Sequence, residues 1–366
     1  MGDDSINRLM NGTTWTEFCD TLKKAGEVIV RGTSPADPLN RAEGYRYLSR
    51  ITRAVVEAFV ENSDPRAPVL FRPVHETAKM GADNPDNYYQ YAAVSGEYDY
   101  LARGSRGTVN YLGFGTYKGN YGIGGTAETG YLDGRDLAVN NDGTFQLILS
   151  RNKHDGNWLP MKEETSSLIV RQTFADRTGE EIARLTIERI GGDGMPTPVT
   201  PEMIEQGITT AARIVLGAAT LFANWAEGFM KHLNQLPRFD SSIALAAMGD
   251  PNISYYHSYW KLADDEALVI DVKPPACEAW NFQLNNHWME SLDYRYYPVW
   301  VNQHTAKYRP DGSVRIVVAH KNPGADNWID TVGHGQGTML LRWVRAEDHP
   351  EPRTRVVKVN EVKGLI

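Results

Sequence analysis

The residues best suited to proton chemistry are concentrated late in the chain. Five of its nine histidines lie between His257 and His334, at positions 257, 287, 304, 320 and 334. Asp330-Thr-Val-Gly-His334-Gly sets a carboxylate and an imidazole four residues apart in a Gly-flanked loop. An imidazole titrating near neutrality can act as a general base, and a carboxylate can hold its tautomer. In that arrangement His334 is the base, Asp330 orients it, and His320 or Tyr294 donates a proton. Arg295 or Arg342 would hold an anionic group, because a planar guanidinium matches a carboxylate. His287, Trp288, Asn302 and His304 are further candidates for contact with a substrate. Each has a plainer reading beside it. A histidine in a Gly-rich loop is often merely solvated, and His287 next to Trp288 can be a satisfied core residue. His257, between Tyr256 and Tyr259, reads as structural or as part of a rim.

Other chemistries find little support. No HxH or HExxH occurs, so no metal is expected, although distant strands could still converge on one. Gly113-x-Gly115 and Gly122-Ile-Gly124-Gly125 lack the Lys-Ser/Thr ending and following helix of a phosphate loop, and read as β turns. No GxSxG is present, and Cys19 and Cys277 lack a nucleophile's context or a disulfide framework. Net charge is −8 with no basic stripe, which argues against nucleic acid. The N-terminus lacks a secretory pattern, and the longest apolar stretch, 214–223, is about half a membrane span. The expectation is a cytoplasmic protein with no membrane partner and no cofactor, able to form a homodimer.

The elements that must position these residues fall into blocks. Residues 1–66 read as helical, with Thr14 as a cap and apolar residues at helical spacing over 39–61. Residues 67–193 form a first β block, with strands expected at 88–94, 108–114, 144–149, 168–174 and 185–190. Residues 194–240 hold a Pro-rich linker and a long helix capped by Thr200-Pro201 and running to about Leu236. Residues 241–366 form a second β block, with strands at 267–272, 281–285, 315–319, 339–344 and 354–359.

The second block echoes the first. Asp142-Gly-Thr-Phe-Gln-Leu-Ile-Leu-Ser-Arg151 resembles Asp311-Gly-Ser-Val-Arg-Ile-Val-Val-Ala-His320. From Asp-Gly to Asn157-Trp158 is 15 residues, and to Asn327-Trp328 is 16; a strand then ends at Arg171 or Arg342. A tight turn, a strand, a Trp-pinned loop and a returning strand make one unit with a face to bury. The fold class is therefore mainly β, with a helical N-terminus, a long central helix and two related β-sandwich or jelly-roll units. His320, Asp330 and His334 stand where the first copy has Arg151, Pro160 and, nearby, Glu164, which marks the second copy as the place for chemistry. Aromatic clusters at Tyr88-Tyr89-Gln-Tyr91, Tyr255-Tyr256-His-Ser-Tyr259-Trp260 and 280–300 can line a pocket for a flat apolar ligand or pack a β core.

Trp280-Asn-Phe-Gln-Leu, Trp288-Met-Glu-Ser-Leu-Asp-Tyr294, Asp311-Gly-Ser-Val, Ala319-His320, Pro323-Gly324, Asn327-Trp-Ile-Asp-Thr331, Gly333-His334 and Arg342-Trp343, in that order, resemble the bacterial family known as domain of unknown function twelve-fourteen. The resemblance covers about residues 265–345, and the first β block looks like a weaker relative of that family's usual N-terminal partner domain. It implies an all-β pair of sandwiches or jelly rolls and carries no reaction. It hints at a place in steroid or aromatic catabolism. Residues and resemblance together lead to the expectation of a cofactor-independent, lyase-like acid–base enzyme. Its substrate would be a hydrophobic or aromatic hydroxylated or carbonyl small molecule. The alternatives are a non-catalytic ligand- or carbohydrate-binding sandwich and a metal-dependent hydrolase.

Overall fold

The structure, a computed structural model, describes residues 2–364 apart from Gly122 and Gly124, so part of the Gly122-Ile-Gly124-Gly125 turn lies outside the described residues. Three helices open the chain: α1 (Gly2–Met10), α2 (Thr13–Val30) and α3 (Pro38–Val56), the last continuing as a π turn over Glu57–Glu61. Thr14 is not the cap of α2. The cap is Gly12, and Asn11 Oδ1 accepts from the Thr13 amide, while Thr14 is buried inside the helix.

Eight strands follow: β1 (Asn87–Ala93), β2 (Tyr100–Ser105), β3 (Tyr111–Asn120), β4 (Gly125–Asp133), β5 (Thr144–Ser150), β6 (Trp158–Pro160), β7 (Ser167–Thr173) and β8 (Arg184–Arg189). The long helix α4 (Pro201–Phe229) and the short α5 (Ser241–Leu245) separate them from β9 (Ile253–Lys261), β10 (Glu266–Val272), β11 (Ala279–Leu284), β12 (Trp300–Asn302), β13 (Val314–Ala319), β14 (Trp328–Asp330), β15 (Gln336–Val344) and β16 (Arg353–Lys358).

The two sets have the same topology, strand for strand. The first forms sheets ordered β1-β7-β3-β4 and β6-β5-β2-β8; the second forms β9-β15-β11-β12 and β14-β13-β10-β16. The unusual parallel pair β5–β6 recurs as β13–β14. The local anchors recur atom for atom. Asn157 Oδ1 accepts from Ala138 N, and its Nδ2 donates to the carbonyls of Ala138 and Gln146; Asn327 does the same with Lys307 and Arg315. Trp158 Nε1 donates to the Ser150 carbonyl at 3.0 Å, and Trp328 Nε1 to that of Ala319 at 2.9 Å. Gly143 and Gly312 sit at φ 81° and 78°, so both Asp-Gly turns need a residue free of a Cβ there.

Each pair of sheets encloses its own core. Leu112, Phe114, Phe145, Leu147 and Val170 meet in the first unit; Leu268, Phe282, Ile316, Met339 and Leu341 meet in the second. The sheets carrying β1 and β9 are covered on their outer faces too, which explains why β11 and β15 read as nearly continuous buried runs. The edge strand β8, with solvent on one side, alternates regularly. Helix α4 starts as its sequence requires, with Thr200 Oγ1 accepting from Met203 N at 3.3 Å and Pro201 in the first turn. By length and composition, 201–232 is apolar enough to cross a membrane, and half of its most apolar stretch is buried here against α2, α3 and the second unit.

Candidate ligand cavity between the two units

A mostly apolar cavity of about 210 Å³ lies where the outer faces of the β1 and β9 sheets meet α3 and α4. A single water needs only about 10–15 Å³ by the same measure. Along β7, Leu168 and Val170 point into the first core, so Ile169 and Arg171 point into the cavity. Along β15, Met339 and Leu341 point into the second core, which turns Arg342 the same way. The strand registers then pair Tyr89 with Arg171 and Tyr255 with Arg342. The duplication has thus put one Tyr–Arg pair from each unit on the wall of one cavity.

Each pair is held by a segment that leads into its own strand and by one that belongs to the other unit. Asn84 N donates to Tyr89 Oη at 3.1 Å, and Asp250 N to Tyr255 Oη at 3.1 Å, each from the residue five positions earlier. Arg171 Nη2 donates to the carbonyl of Met248, and Arg342 Nη2 to that of Ala82. Both acceptors are non-Gly residues in the left-handed region, at φ 60° and 58°, a conformation that costs free energy unless contacts impose it. The exchange extends outward. Asp86 accepts from Trp300 Nε1 and Asn302 Nδ2 of the second unit, and Asn252 Nδ2 donates to Tyr131 Oη of the first.

The remaining guanidinium bonds go to neutral groups: Tyr117 Oη for Arg171, and the side-chain oxygens of Asn281 and Gln283 for Arg342. Among the described residues neither arginine has a carboxylate within ion-pair distance, yet only 8% of Arg171 and 4% of Arg342 is exposed. Burial pulls the Arg342 guanidinium down and Tyr89, Tyr255 and Asp83 pull it up, but an arginine keeps its charge in either case. Burial also pushes up both phenols, and each feels both guanidiniums pulling the other way. The four groups therefore share one electrostatic environment. Each phenol oxygen accepts a backbone N–H, and no acceptor for either hydroxyl proton occurs among the described residues.

The copies differ two residues along from the tyrosines, where β1 has Tyr91 and β9 has His257. His257 stacks on Phe229 at 5.1 Å and on Tyr255 at 5.8 Å, and its Nδ1 is buried without a partner. Burial, helped by Arg342, pushes its pKa down to about 3, so the ring is neutral.

Of the ten residues singled out in the sequence, Arg342 lines this cavity and the others lie elsewhere. His320, Asp330 and His334 gather at the turn around Thr331. His320 Nδ1 meets Thr331 Oγ1 at 2.7 Å, His334 Nδ1 meets the Thr331 and Val332 carbonyls, and Asp330 Oδ1 caps Val332 N. These bonds tie the three side chains to their own loop, and no Asp330–His334 bond forms among the described residues. Tyr294 packs at the edge of the second core beneath Lys79, whose Nζ is 4.6 Å from its ring. Arg295 is chelated by Asp293, two residues away. His287 and Trp288 lie inside the junction with α3: His287 Nδ1 meets Tyr259 Oη at 2.9 Å, and Trp288 Nε1 donates to Asn40 O at 2.8 Å. Asn302 borders a void of about 10 Å³, and His304 is exposed beside Asp176. No cluster able to hold a metal ion occurs among the described residues.

Sequence reasoning treated Tyr89 and Tyr255 only as members of aromatic runs and Arg171 only as a repeat anchor. The signal that joins them is the repeated Asx-Pro-x-x-x-Tyr, Asn84-Pro85 to Tyr89 and Asp250-Pro251 to Tyr255.

The fold and site define a duplicated β-sandwich protein with a cavity between its two units. The chain belongs to the family described as protein of unknown function, DUF1214, whose family model matches residues 119–174 and 263–348. The match falls in both halves, so the same family reaches into the first β block. An uncharacterized protein from Burkholderia cenocepacia, known from a crystal structure, is 51% identical with a TM-score of 0.95, over 96% of this chain and 99% of that one. A protein from Vibrio parahaemolyticus shares the fold at 12% identity with a TM-score of 0.50, over 92% of this chain and 100% of that one. No curated protein matches the chain.

Proposed function

We propose that the protein binds a small, largely hydrophobic organic molecule in the cavity between its two units. The observation that carries this is the cavity itself. A void of about 210 Å³ bounded by Phe59, Ile214, Phe222 and Trp225 would otherwise forfeit the contacts that close packing supplies, and apolar voids of this kind accept apolar ligands. Its walls come from α3, α4, both lead-in loops and both inner sheets, so a ligand there touches both units and the helices beside them.

The acid–base reading keeps one foothold here. His257 is the titratable residue at the one cavity position where a histidine has replaced its pseudo-symmetric tyrosine. With burial and Arg342 pushing its pKa down to about 3 it is a weak base, so binding is the stronger reading and turnover the second.

Filling the cavity tests the proposal. Ala54, buried on α3, lines it, and Ala54→Phe would occupy it. Small aromatic acids, alcohols and amides screened by thermal shift are expected to stabilise the natural protein and to leave Ala54→Phe unmoved. Equal stabilisation of both would place binding elsewhere.

A further inference from the structure

The composition of the cavity wall specifies more than an apolar ligand. Arg171 and Arg342 are charged, buried and partnered only by neutral acceptors. An unpaired buried charge is costly, and a fold that places two on one cavity wall stabilises them when an anion arrives. Tyr89 and Tyr255 supply two hydroxyl protons without acceptors, and each phenol oxygen is fixed by a backbone amide 3.1 Å away. These donors are preorganised from both sides: strand pairing sets each tyrosine beside its arginine, and the opposite unit's lead-in loop holds that arginine's far end. The rest of the lining is mostly apolar, with Phe222 and Trp225 edge to face at 6.0 Å, and its one carboxylate, Asp83, is bonded to Ser291 N and Oγ.

We infer that the ligand is an organic carboxylate, its head group taken by the paired Tyr89–Arg171 and Tyr255–Arg342 donors and its aromatic or aliphatic body lying against α3 and α4. This rests on the cavity reading above and names the chemical class that the cavity selects. A carboxylate has two oxygens with about four lone-pair sites, matching two hydroxyl and two guanidinium donors. The pseudo-symmetry also explains why both halves keep the pair: one anion is shared, and each unit contributes half its receptor.

The test compares acids with their uncharged amides, benzoate against benzamide and naphthoate against naphthamide, by calorimetry on the full chain. Loss of a charge-assisted bond costs a factor of about ten or more, so at least one acid is expected to bind about tenfold more tightly than its amide. In the double variant Tyr89→Phe with Tyr255→Phe, which keeps ring volume and both arginines, that preference falls at least about fivefold. Arg342→Met is expected to abolish it. Because Arg342 also supports the Ala82 carbonyl, the tyrosine variants carry the test if that protein fails to fold. Amides that bind as tightly as acids overturn the carboxylate assignment and leave the cavity reading standing. An acid preference that survives in the double variant overturns it as well. If no compound of either kind binds, the cavity reading itself fails.

Discussion

At the scale of single residues, two buried histidines make folding stability depend on pH. Burial pushes His257 down to about 3 and His287 to about 4, from an ordinary 6.5. The unfolded chain therefore binds more protons than the folded one from about pH 6.5 downward, and stability falls with pH through that window. Asp86 acts the other way. Burial lifts its carboxyl to about 6, so between about pH 4 and 6 the folded state holds a proton that the unfolded state has released. Each such group contributes a slope of up to about 1.4 kcal/mol per pH unit. His257→Phe removes one imidazole while keeping a ring between Phe229 and Tyr255. Urea unfolding from pH 7 to about 4.5 should show its stability falling less steeply than the natural protein's, by about one proton's worth of slope. Parallel profiles would mean that His257 titrates normally in the folded state. The two histidines that looked reactive in the sequence, His320 and His334, were legible as unusual but not as local: what ties them to the Thr331 turn is a set of short-range bonds to a hydroxyl and two carbonyls. Histidine type and loop position do not reveal such bonds.

At the scale of elements, turns and caps were readable because their bonds span few residues. The Asp-Gly turns and the Thr200 cap declare themselves within a few positions, and each forms the local bonds its residue types require. Strands buried on both faces lose their alternation, and β9 accordingly escaped recognition. Helix packing was equally silent, and Gly44 shows why. Helix propensity alone favours Gly44→Ala on α3 by about 1 kcal/mol. A Cβ there would stand 2.6 Å from Ile29 Cγ2 and 2.9 Å from two ring atoms of Trp288. Trp288 has little freedom to withdraw, since its indole N–H is bonded to Asn40 O and its backbone N–H to Asn286 Oδ1. Overpacking of that kind costs about 1–3 kcal/mol, so the net effect should be a loss of stability of up to about 2 kcal/mol. Gly26 on α2 provides the internal control: a Cβ there meets nothing within 4 Å, and Gly26→Ala should gain up to about 1 kcal/mol. Thermal unfolding of the two variants should move in opposite directions. A stabilised Gly44→Ala would show that α3 has room to shift away from Trp288.

At the scale of the whole molecule, the duplication was visible in sequence but its consequence was not. Two copies of one unit need not depend on each other, and tandem sandwiches joined by a linker often unfold separately. Here each copy's lead-in segment serves the other copy. Ala82 and Asp86 accept from Arg342, Trp300 and Asn302, while Met248 accepts from Arg171 and Asn252 donates to Tyr131. A cavity built by such an exchange draws on positions more than 200 residues apart, 54 and 257 for example, which no local pattern connects. The exchange also fixes the cooperativity. If either unit opened alone, the other would lose its arginine's bond to the opposite lead-in loop and would expose to water the face that the cavity covers. Those losses, added to that of the shared helical face of α4, oppose any state with one unit folded. Urea unfolding followed by tryptophan fluorescence and by far-ultraviolet circular dichroism should therefore give coincident single transitions. Arg342→Lys, which keeps the charge but shortens the reach to the Ala82 carbonyl, should lower the midpoint of that single transition. Two separated transitions in the natural protein would show that the units are independent and that the crossed bonds between them contribute little.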